Sequence, residues 1–443
     1  MARRTAYVAL GSNVGDRLGL VSRAWAALGG VGDVTATSAL YDSTPALVLD
    51  QPRFLNAVVA LETTLEPLQA LKALKDIEQR LGRQDRGRWG PREIDLDLLF
   101  LDDVRFHDDV LTLPHERAAE REFVLRPLAD VRRALALRAP EAPAARFALV
   151  DDALRGLRGV ESSDLDRVWA SLPLGKETHV MGVINVTPDS FSDGGRHGSV
   201  DRAVREAEAM ARGGAVIVDV GGESTRPGAV PPTEDEELRR VVPAISAIRD
   251  KLGIAVSVDT RRAAVARAAL EAGARIVNDV SGGAHDAAML PMLADHGSAS
   301  VVLMHSRGTP QTMQSKAHLD YGGDVVGGVE RELQSRLDAA TDARIAPWRV
   351  MGDPGIGFAK SQSDNLELLR NLGRFSGMAP LLVGPSRKGF IGALLDEPQA
   401  DLRDWGTAGA CCACVPFADV VRVHHVQGVK QALKVADAVL RRR

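Results

Sequence analysis

Met181-Gly-Val-Ile-Asn-Val-Thr-Pro-Asp-Ser-Phe-Ser-Asp-Gly-Gly195 opens as an apolar run and stops abruptly in a polar, glycine-rich loop. A barrel strand delivering an active-site loop takes this form in sequence. Outward from it, short apolar runs alternate with helical stretches, the pattern of a parallel sheet. The runs are Val180–Ile184, Val216–Val218, Ala255–Val258, Ile276–Val277, Ser300–Leu303, Arg349–Gly352, Leu381–Val383 and Val420–Val423. They close on Asn185, Asp219, Asp259, Asn278, His305, Asp353, Ser386 and His424, each a chemically capable side chain. Random scatter of polar residues does not explain eight out of eight. The reading predicts a (β/α)8 TIM barrel with its site at the C-terminal rim.

The first hundred residues read differently. Thr5–Leu10 is a short strand before a Gly-Ser-Asn-Val-Gly-Asp loop, Leu18–Leu28 has helical spacing, and Val34–Tyr41 alternates as a strand. Leu55–Glu62 is another strand, Leu68–Leu81 a helix and Ile94–Phe100 a strand. The βαββαβ order predicts a ferredoxin-like α+β domain, helices packed on one face of a mostly antiparallel sheet. Val150–Leu157 reads as its last helix. The expected division is a first domain over 1–160, an exposed linker over 161–172 that carries Glu161-Ser-Ser-Asp164, and the barrel over 173–443.

Arg88-Trp-Gly-Pro-Arg-Glu-Ile-Asp-Leu-Asp-Leu-Leu-Phe100 carries the chemistry of the first domain. Side chains alternate along a strand, so Asp95 and Asp97 project from one face. Two adjacent carboxylates repel unless a cation separates them, and hard oxygen ligands suit Mg2+. Arg83, Arg86, Arg88 and Arg92 lie just upstream as bidentate donors for polyphosphate oxygens. Asp-x-Asp on a strand is often only a solvated face, but the arginines and Trp89 crowding this one favour Mg2+-assisted phosphoryl chemistry on a nucleotide.

Composition sets the outer bounds. At 443 residues, 45% hydrophobic and 26% charged, the chain is long enough for two or three cored domains. A net charge of −4 with clustered arginines argues against general nucleic-acid binding. Pro416 and Asp419 interrupt the best membrane-spanning candidate, and the N-terminus enters a strand too early for a signal segment. Cys411, Cys412 and Cys414 read as small buried helix residues of a reducing, cytoplasmic compartment.

The first half resembles hydroxymethyl-dihydropterin pyrophosphokinase over about residues 5–130. The resemblance is carried by Leu-Gly-Ser-Asn at 10–13, Phe54-Leu-Asn56, Arg-Trp-Gly-Pro-Arg at 88–92, Asp95-Leu-Asp97, Leu-Pro-His at 113–115 and Arg121-Glu-Phe123. It implies that Asp95 and Asp97 hold Mg2+ and that Arg83, Arg92, His115 and Arg121 contact ATP phosphates. Arg86 and Trp89 would belong to a closing loop over the same nucleotide. Asn56 would read the pterin edge, with Thr44 in the first pterin loop and Phe123 and Phe54 stacking on the ring; Phe54 reads equally well as a core aromatic. Ala46 and Glu116 depart from the pattern, which usually has a second proline and an aromatic there.

From about 174 the chain resembles dihydropteroate synthase. Seven blocks appear in order, among them Gly-Gly-Glu-Ser-Thr-Arg-Pro-Gly, Ser-Val-Asp-Thr, Asn-Asp-Val-Ser-Gly-Gly, Asp-Pro-Gly-Ile-Gly-Phe, Gly-Pro-Ser-Arg-Lys-Gly and Arg-Val-His. The implied pterin ligands are Asp259, Asn278, Asp353 and Lys388, with Asn185 on a second Mg2+. Arg226, Arg422 and His424 would take pyrophosphate, while Thr225, Phe358 and Ser386 would shape a p-aminobenzoate slot that sulfonamides also fit. Pro188–Asp193 and Arg226–Ala229 would be closing loops, with Asp219 in support. Ser306 and His425 depart from the pattern, and His425 is expected to point away from the pocket on a strand. His107, His179, His197, His296 and His318 read as surface or core histidines.

The two resemblances are consecutive steps of folate synthesis: ATP-dependent pyrophosphorylation of 6-hydroxymethyl-7,8-dihydropterin, then condensation with p-aminobenzoate to dihydropteroate. Catalysis would rest on Asp95, Asp97 and Arg92 in one half, Lys388 and Arg422 in the other, with a homodimer through the barrel. The alternatives are a pterin-dependent methyltransferase barrel, which the Ser-Arg-Lys-Gly block opposes, or one silent domain, which the intact Asp95, Asp97, Asn185 and Lys388 oppose.

Overall fold

A computed structural model describes residues 3–46, 49–87, 90–138, 141, 147–157, 164–186, 195–223 and 230–441. The chain divides into two compact units. The first is Met1–Pro173 with His296–Ser298 and Arg344–Trp348; the second holds Leu174–Asp295, Ala299–Ala343 and Arg349–Arg443.

In the first unit, β1 (Arg4–Ser12), α1 (Arg17–Leu28), β2 (Asp33–Thr37), β3 (Leu40–Ser43), β4 (Phe54–Thr63), α2 (Pro67–Arg80) and β5 (Asp95–Leu101) follow the expected order. Short β6 (Phe106–His107) and β7 (Thr112–Leu113) form a hairpin, and α3 (Glu122–Arg138), α4 (Ala148–Leu154), β8 (Leu165–Trp169) and β9 (Leu172–Pro173) complete the unit. The main sheet runs β5-β1-β4-β3-β8-β9, with β2 also on β4, and its pairs are antiparallel. Long β4 alternates Leu55, Ala57, Val59 and Leu61 into one core with Trp25 of α1 and Leu74 and Ile77 of α2. Its other face sends Val58 and Ala60 to a second core with Leu128 and Val131 of α3 and Val150 of α4. Helices therefore cover both faces rather than the one expected, because β4 and β5 are apolar on both. The single strand expected over Val34–Tyr41 is two strands interrupted at Ser38, whose hydroxyl accepts from the Val58 amide.

The expected linker is the main correction. Glu161–Ser163 lie outside the described residues, but Leu165–Trp169 pair with Leu40–Ser43 and turn back into Leu172–Pro173. Val168 joins the first core and Trp169 is fully buried. The unit thus runs to Pro173, because β3 gains a paired edge there.

The second unit is the barrel. Its strands are β10 (His179–Asn185), β11 (Ile217–Gly221), β12 (Ala255–Asp259), β13 (Ile276–Asp279), β14 (Ser300–Met304), β15 (Val350–Asp353), β16 (Leu382–Val383) and β17 (Val420–Val423). All ladders are parallel, in the order β15-β14-β13-β12-β11-β10-β17-β16, and a bridge between Gly352 and Leu381 closes the ring. The surrounding helices include α5 (Gly195–Gly213), α6 (Glu234–Lys251), α7 (Ala263–Glu271), α8 (Met289–His296), α9 (Lys316–Leu319) and α10 (Val325–Asp342). They continue with α11 (Gln362–Arg370), α12 (Gly389–Leu395), α13 (Asp404–Cys414) and α14 (Val426–Leu440). Helix α6 shows the local logic: Thr233 caps its N-terminus, acids fill its first turn, and Arg249 and Lys251 sit at the C-terminal end of the dipole. Cys411 and Cys414 are buried in α13, as expected, and all three cysteines are free. Among the described residues no helix is long and apolar enough to cross a membrane.

Trp169→Ala should cost the first unit about 3–5 kcal/mol, because the indole is fully enclosed. Denaturant unfolding followed by circular dichroism measures it. An unchanged midpoint would return residues 165–173 to a linker.

Candidate active sites

In the first unit β5 and β1 are neighbours, so Asp95 and Asp97 face a half-open cleft floored by Ala9 to Gly11. Thr44, Phe54, Asn56 and Phe123 line it together with Arg92, His115 and Arg121. Asn56 is buried and donates to the Ser43 hydroxyl at 2.8 Å. Arg121 sits 5.8 Å from the Phe123 ring centre.

The two carboxylates differ in surroundings. Arg83 and Arg92 hold Asp95 at 2.6 and 2.5 Å. Burial disfavours its charge, yet Arg92 and Arg83 outweigh burial and its pKa falls below the carboxylate range. Asp97 moves the other way, raised by burial and then by Asp95 beside it. No side chain hydrogen-bonds Asp97 among the described residues. A pair of this kind fits Mg2+, which is normally bound by one or two carboxylates plus substrate phosphates.

At the barrel rim, Arg422 on β17 reaches across to two carboxylates. Its Nε donates to Asp219 and its terminal nitrogen to Asp259, each at 2.7 Å. Asn278 donates to the same Asp219 oxygen at 2.8 Å, while Asp219 Oδ1 has no partner among the described residues. Burial pushes Asp259 up to about 7, Arg422 notwithstanding, and Asp219 adds to the rise. Asp353 is likewise raised by burial and accepts from the Gly355 amide at 2.7 Å. Lys388 donates to the Ile356 carbonyl, stands 4.6 Å from the Phe358 ring centre, and is lowered to about 8 by burial. Gly355 takes φ +69°, and a Cβ there would lie 1.9 Å from the His305 carbonyl, so only glycine fits. Ser386 and His424 pair at 2.9 Å. Asn185 ends β10, and its amide oxygen and Asp259 Oδ2 both border Gly221, 3.9 and 3.8 Å from where a Cβ there would stand. An amide oxygen at a strand end is a hard donor of the kind that fits a cation whose charge is balanced by a phosphate ligand.

Several expected residues fall elsewhere. Arg83 bridges Asp95 to buried Glu78, and Arg86 turns to Glu93; both line a neighbouring hollow that Arg92 shares. Arg88, Trp89, Thr225, Arg226 and the loops Pro188–Asp193 and Arg226–Ala229 lie outside the described residues. Exposed Glu116 is off the cleft, whereas Arg117, which the sequence reading missed, lines it next to Arg121. Its signal was a third cation between His115 and Arg121. Glu78 was missed too; it accepts from Lys75, Arg83 and the Leu96 amide, and its signal was an acid on the buried face of α2. His425 is not on a strand: β17 ends at Val423, and His425 is the exposed residue preceding α14.

Comparison with known proteins matches residues 7–133 to the model of 7,8-dihydro-6-hydroxymethylpterin-pyrophosphokinase (HPPK), and residues 181–424 to that of pterin binding enzymes. The chain is 41% identical to the mitochondrial folate synthesis bifunctional protein of Arabidopsis thaliana, over 98% of this chain and 83% of the relative. The dihydropteroate synthase of Xanthomonas albilineans, solved with 4-aminobenzoic acid, matches at 41% identity and TM-score 0.55, over 59% of this chain and 93% of that one. The HPPK-DHPS of Plasmodium falciparum, solved with pteroate, shares the fold at 20% identity and TM-score 0.70, over 99% and 98% of the two chains.

The raised Asp259 makes a pH prediction. Its folded pKa, about 7, exceeds the ordinary carboxylate value, so the folded barrel binds the proton more tightly than the unfolded chain. Its contribution is therefore full at about pH 4 and is lost as pH climbs to about 7. Chemical denaturation of the ligand-free chain at pH 5 and 7.5 should show this fall, and Asp259→Asn should remove it. Equal pH dependence in parent and variant would refute the shift.

Proposed function

The chain belongs to the bifunctional folate-synthesis proteins, and on that premise we propose which residues carry each of its two transferase reactions. The observation that carries the assignment is the gathering of carboxylates and cations in each unit, around a cleft in the first and across the strand ends of the barrel in the second.

In the first unit the pterin hydroxymethyl oxygen attacks the β-phosphorus of ATP. The new O–P bond forms as the bond from that phosphorus to the α,β-bridging oxygen breaks; AMP leaves and the hydroxyl proton is lost. Arg92, Arg121 and His115 hold the phosphates, with Arg83 anchored behind Asp95 and Arg86 and Trp89 on the closing loop. Asn56 and Thr44 orient the pterin between Phe54 and Phe123. Positioning and charge neutralisation are most of the catalysis in such a transfer.

In the barrel the bond from the pterin methylene to pyrophosphate breaks, the aminobenzoate nitrogen attacks that carbon, and the amine gives up a proton. Asp259, Asn278, Asp353 and Lys388 bind the pterin. Thr225, Phe358 and Ser386 form the aminobenzoate slot. Arg226, Arg422 and His424 take the departing pyrophosphate. A pterin that hydrogen-bonds Asp259 competes with Arg422 for that carboxylate, which turns the guanidinium toward the leaving group. Asp95 and Asp97 in the first unit, and Asn185 in the barrel, would hold Mg2+, which supplies positive charge to phosphate oxygens. The free cysteines support a reducing, cytoplasmic setting.

Asp95→Asn with Asp97→Asn should abolish AMP formation, removing several kcal/mol of transition-state stabilisation, and leave the barrel reaction intact when pterin pyrophosphate is supplied. Lys388→Ala and Asp259→Asn should do the reverse. In Asp259→Asn an amide N–H faces the pterin donors, an unpaired contact worth roughly 1–3 kcal/mol. Sulfonamides should inhibit the barrel step alone. Parental AMP formation in the double variant, or equal sulfonamide inhibition of both steps, would overturn the division.

We also propose a homodimer through the barrel face bearing exposed Leu394, Leu402 and Trp405. Trp405→Glu should halve the mass seen by light scattering; a parental chain that is already monomeric refutes it.

A further inference from the structure

Outside the two sites, a connected cluster of titratable groups among the described residues centres on Glu332 of α10, whose half-exposed carboxylate caps buried His305. Its carboxylate accepts from His305 Nε2 at 3.0 Å and from Arg307 Nε at 3.1 Å. Two arms run from it. On the first, His305 is fully buried, and Lys360 Nζ lies 3.0 Å from its Nδ1. With the lysine donating there, the imidazole proton sits on Nε2 and faces Glu332; burial, with Lys360 beside it, lowers His305 to about 3 and keeps it neutral. Lys360 also donates to the Phe358 carbonyl at 2.9 Å. On the second arm, the Arg307 guanidinium lies 3.9 Å from the Tyr321 ring centre, and the Tyr321 hydroxyl donates to the Ala359 carbonyl at 3.0 Å. The arms thus end on successive carbonyls. Between those carbonyls, Ala359 has φ +48°. A residue with a Cβ enters the left-handed region at a cost and stays there only where its surroundings over-determine it.

We propose that Glu332 is a positioning residue for the barrel reaction: through the His305–Lys360 and Arg307–Tyr321 arms it clamps the strained turn at Ala359 and so sets the Phe358 ring in the aminobenzoate slot. The inference rests on the assignment of Phe358 to that slot. Glu332 itself touches no reactant. Loosening the clamp lets the ring wander, which weakens capture of aminobenzoate and leaves the chemical step alone.

The test uses the full chain with saturating pterin pyrophosphate and varied aminobenzoate, following pyrophosphate release. Glu332→Ala should raise the KM for aminobenzoate about tenfold with kcat within about twofold. Tyr321→Phe, which removes one hydroxyl and keeps the ring, should raise it about threefold and carries the test if Glu332→Ala fails to fold. Adding Ala359→Gly to Glu332→Ala should recover part of the loss, since glycine takes that φ without strain. Phe358→Ala is the control for the slot. If it leaves the KM parental, the slot assignment falls and the clamp with it. If it raises the KM while the Glu332 and Tyr321 variants do not, or if Ala359→Gly brings no recovery, the slot stands and the clamp is overturned.

Discussion

One guanidinium shared by two buried carboxylates governs the barrel. Arg422 cannot fully satisfy Asp219 and Asp259 together, and the interior offers little water to make up the difference. The triad ties β17 to β11 and β12, and Asn278 adds β13 through the same Asp219 oxygen. Four strand ends are thereby fixed relative to one another before any ligand arrives. The pterin pyrophosphate proposed to bind there would meet a site whose charges are already oriented, the arrangement that gives electrostatic stabilisation most of its effect.

The first unit uses the opposite device. Its Asp95 is fully compensated by Arg83 and Arg92, while Asp97, one pleat along the same face, is not. The ligand-free cleft therefore carries an unbalanced carboxylate opposite Arg92, Arg117 and Arg121. Such a site is less stable than an apolar one of the same size, and the phosphates and cation proposed to bind there would relieve that instability together.

Much of this is legible in the sequence. All eight barrel strands lie where apolar runs were read, because a parallel strand buried on both faces has no alternation to confuse. Asp259, Asn278 and Asp353 were read from their places at strand ends, and they converge with Lys388 and Arg422, which only the family resemblance singled out. The misreadings have a common cause. Residues 165–173 carry Asp166 and Arg167 between apolar neighbours and are too short to announce a strand; only pairing with β3 makes them one. Helices on both faces of the first sheet, and the cleft position of Arg117 over Glu116, depend on tertiary packing that no local pattern encodes. Residues placed by partners distant in sequence, such as Glu332 and Lys360, are invisible for the same reason.

The ring closes at a thin seam. Between β15 and β16 the ladder shrinks to the Gly352–Leu381 bridge and a bond from the Gly352 amide to the Pro380 carbonyl. Above this seam, Lys388 from the β16 side grips the Ile356 carbonyl on the β15 side. The weakest line of the cylinder is thus latched at its mouth by Lys388, the lysine proposed to bind the pterin. A pterin bound by Lys388 as proposed would compete with the Ile356 carbonyl for the same ammonium group, so binding there would be paid for at the seam.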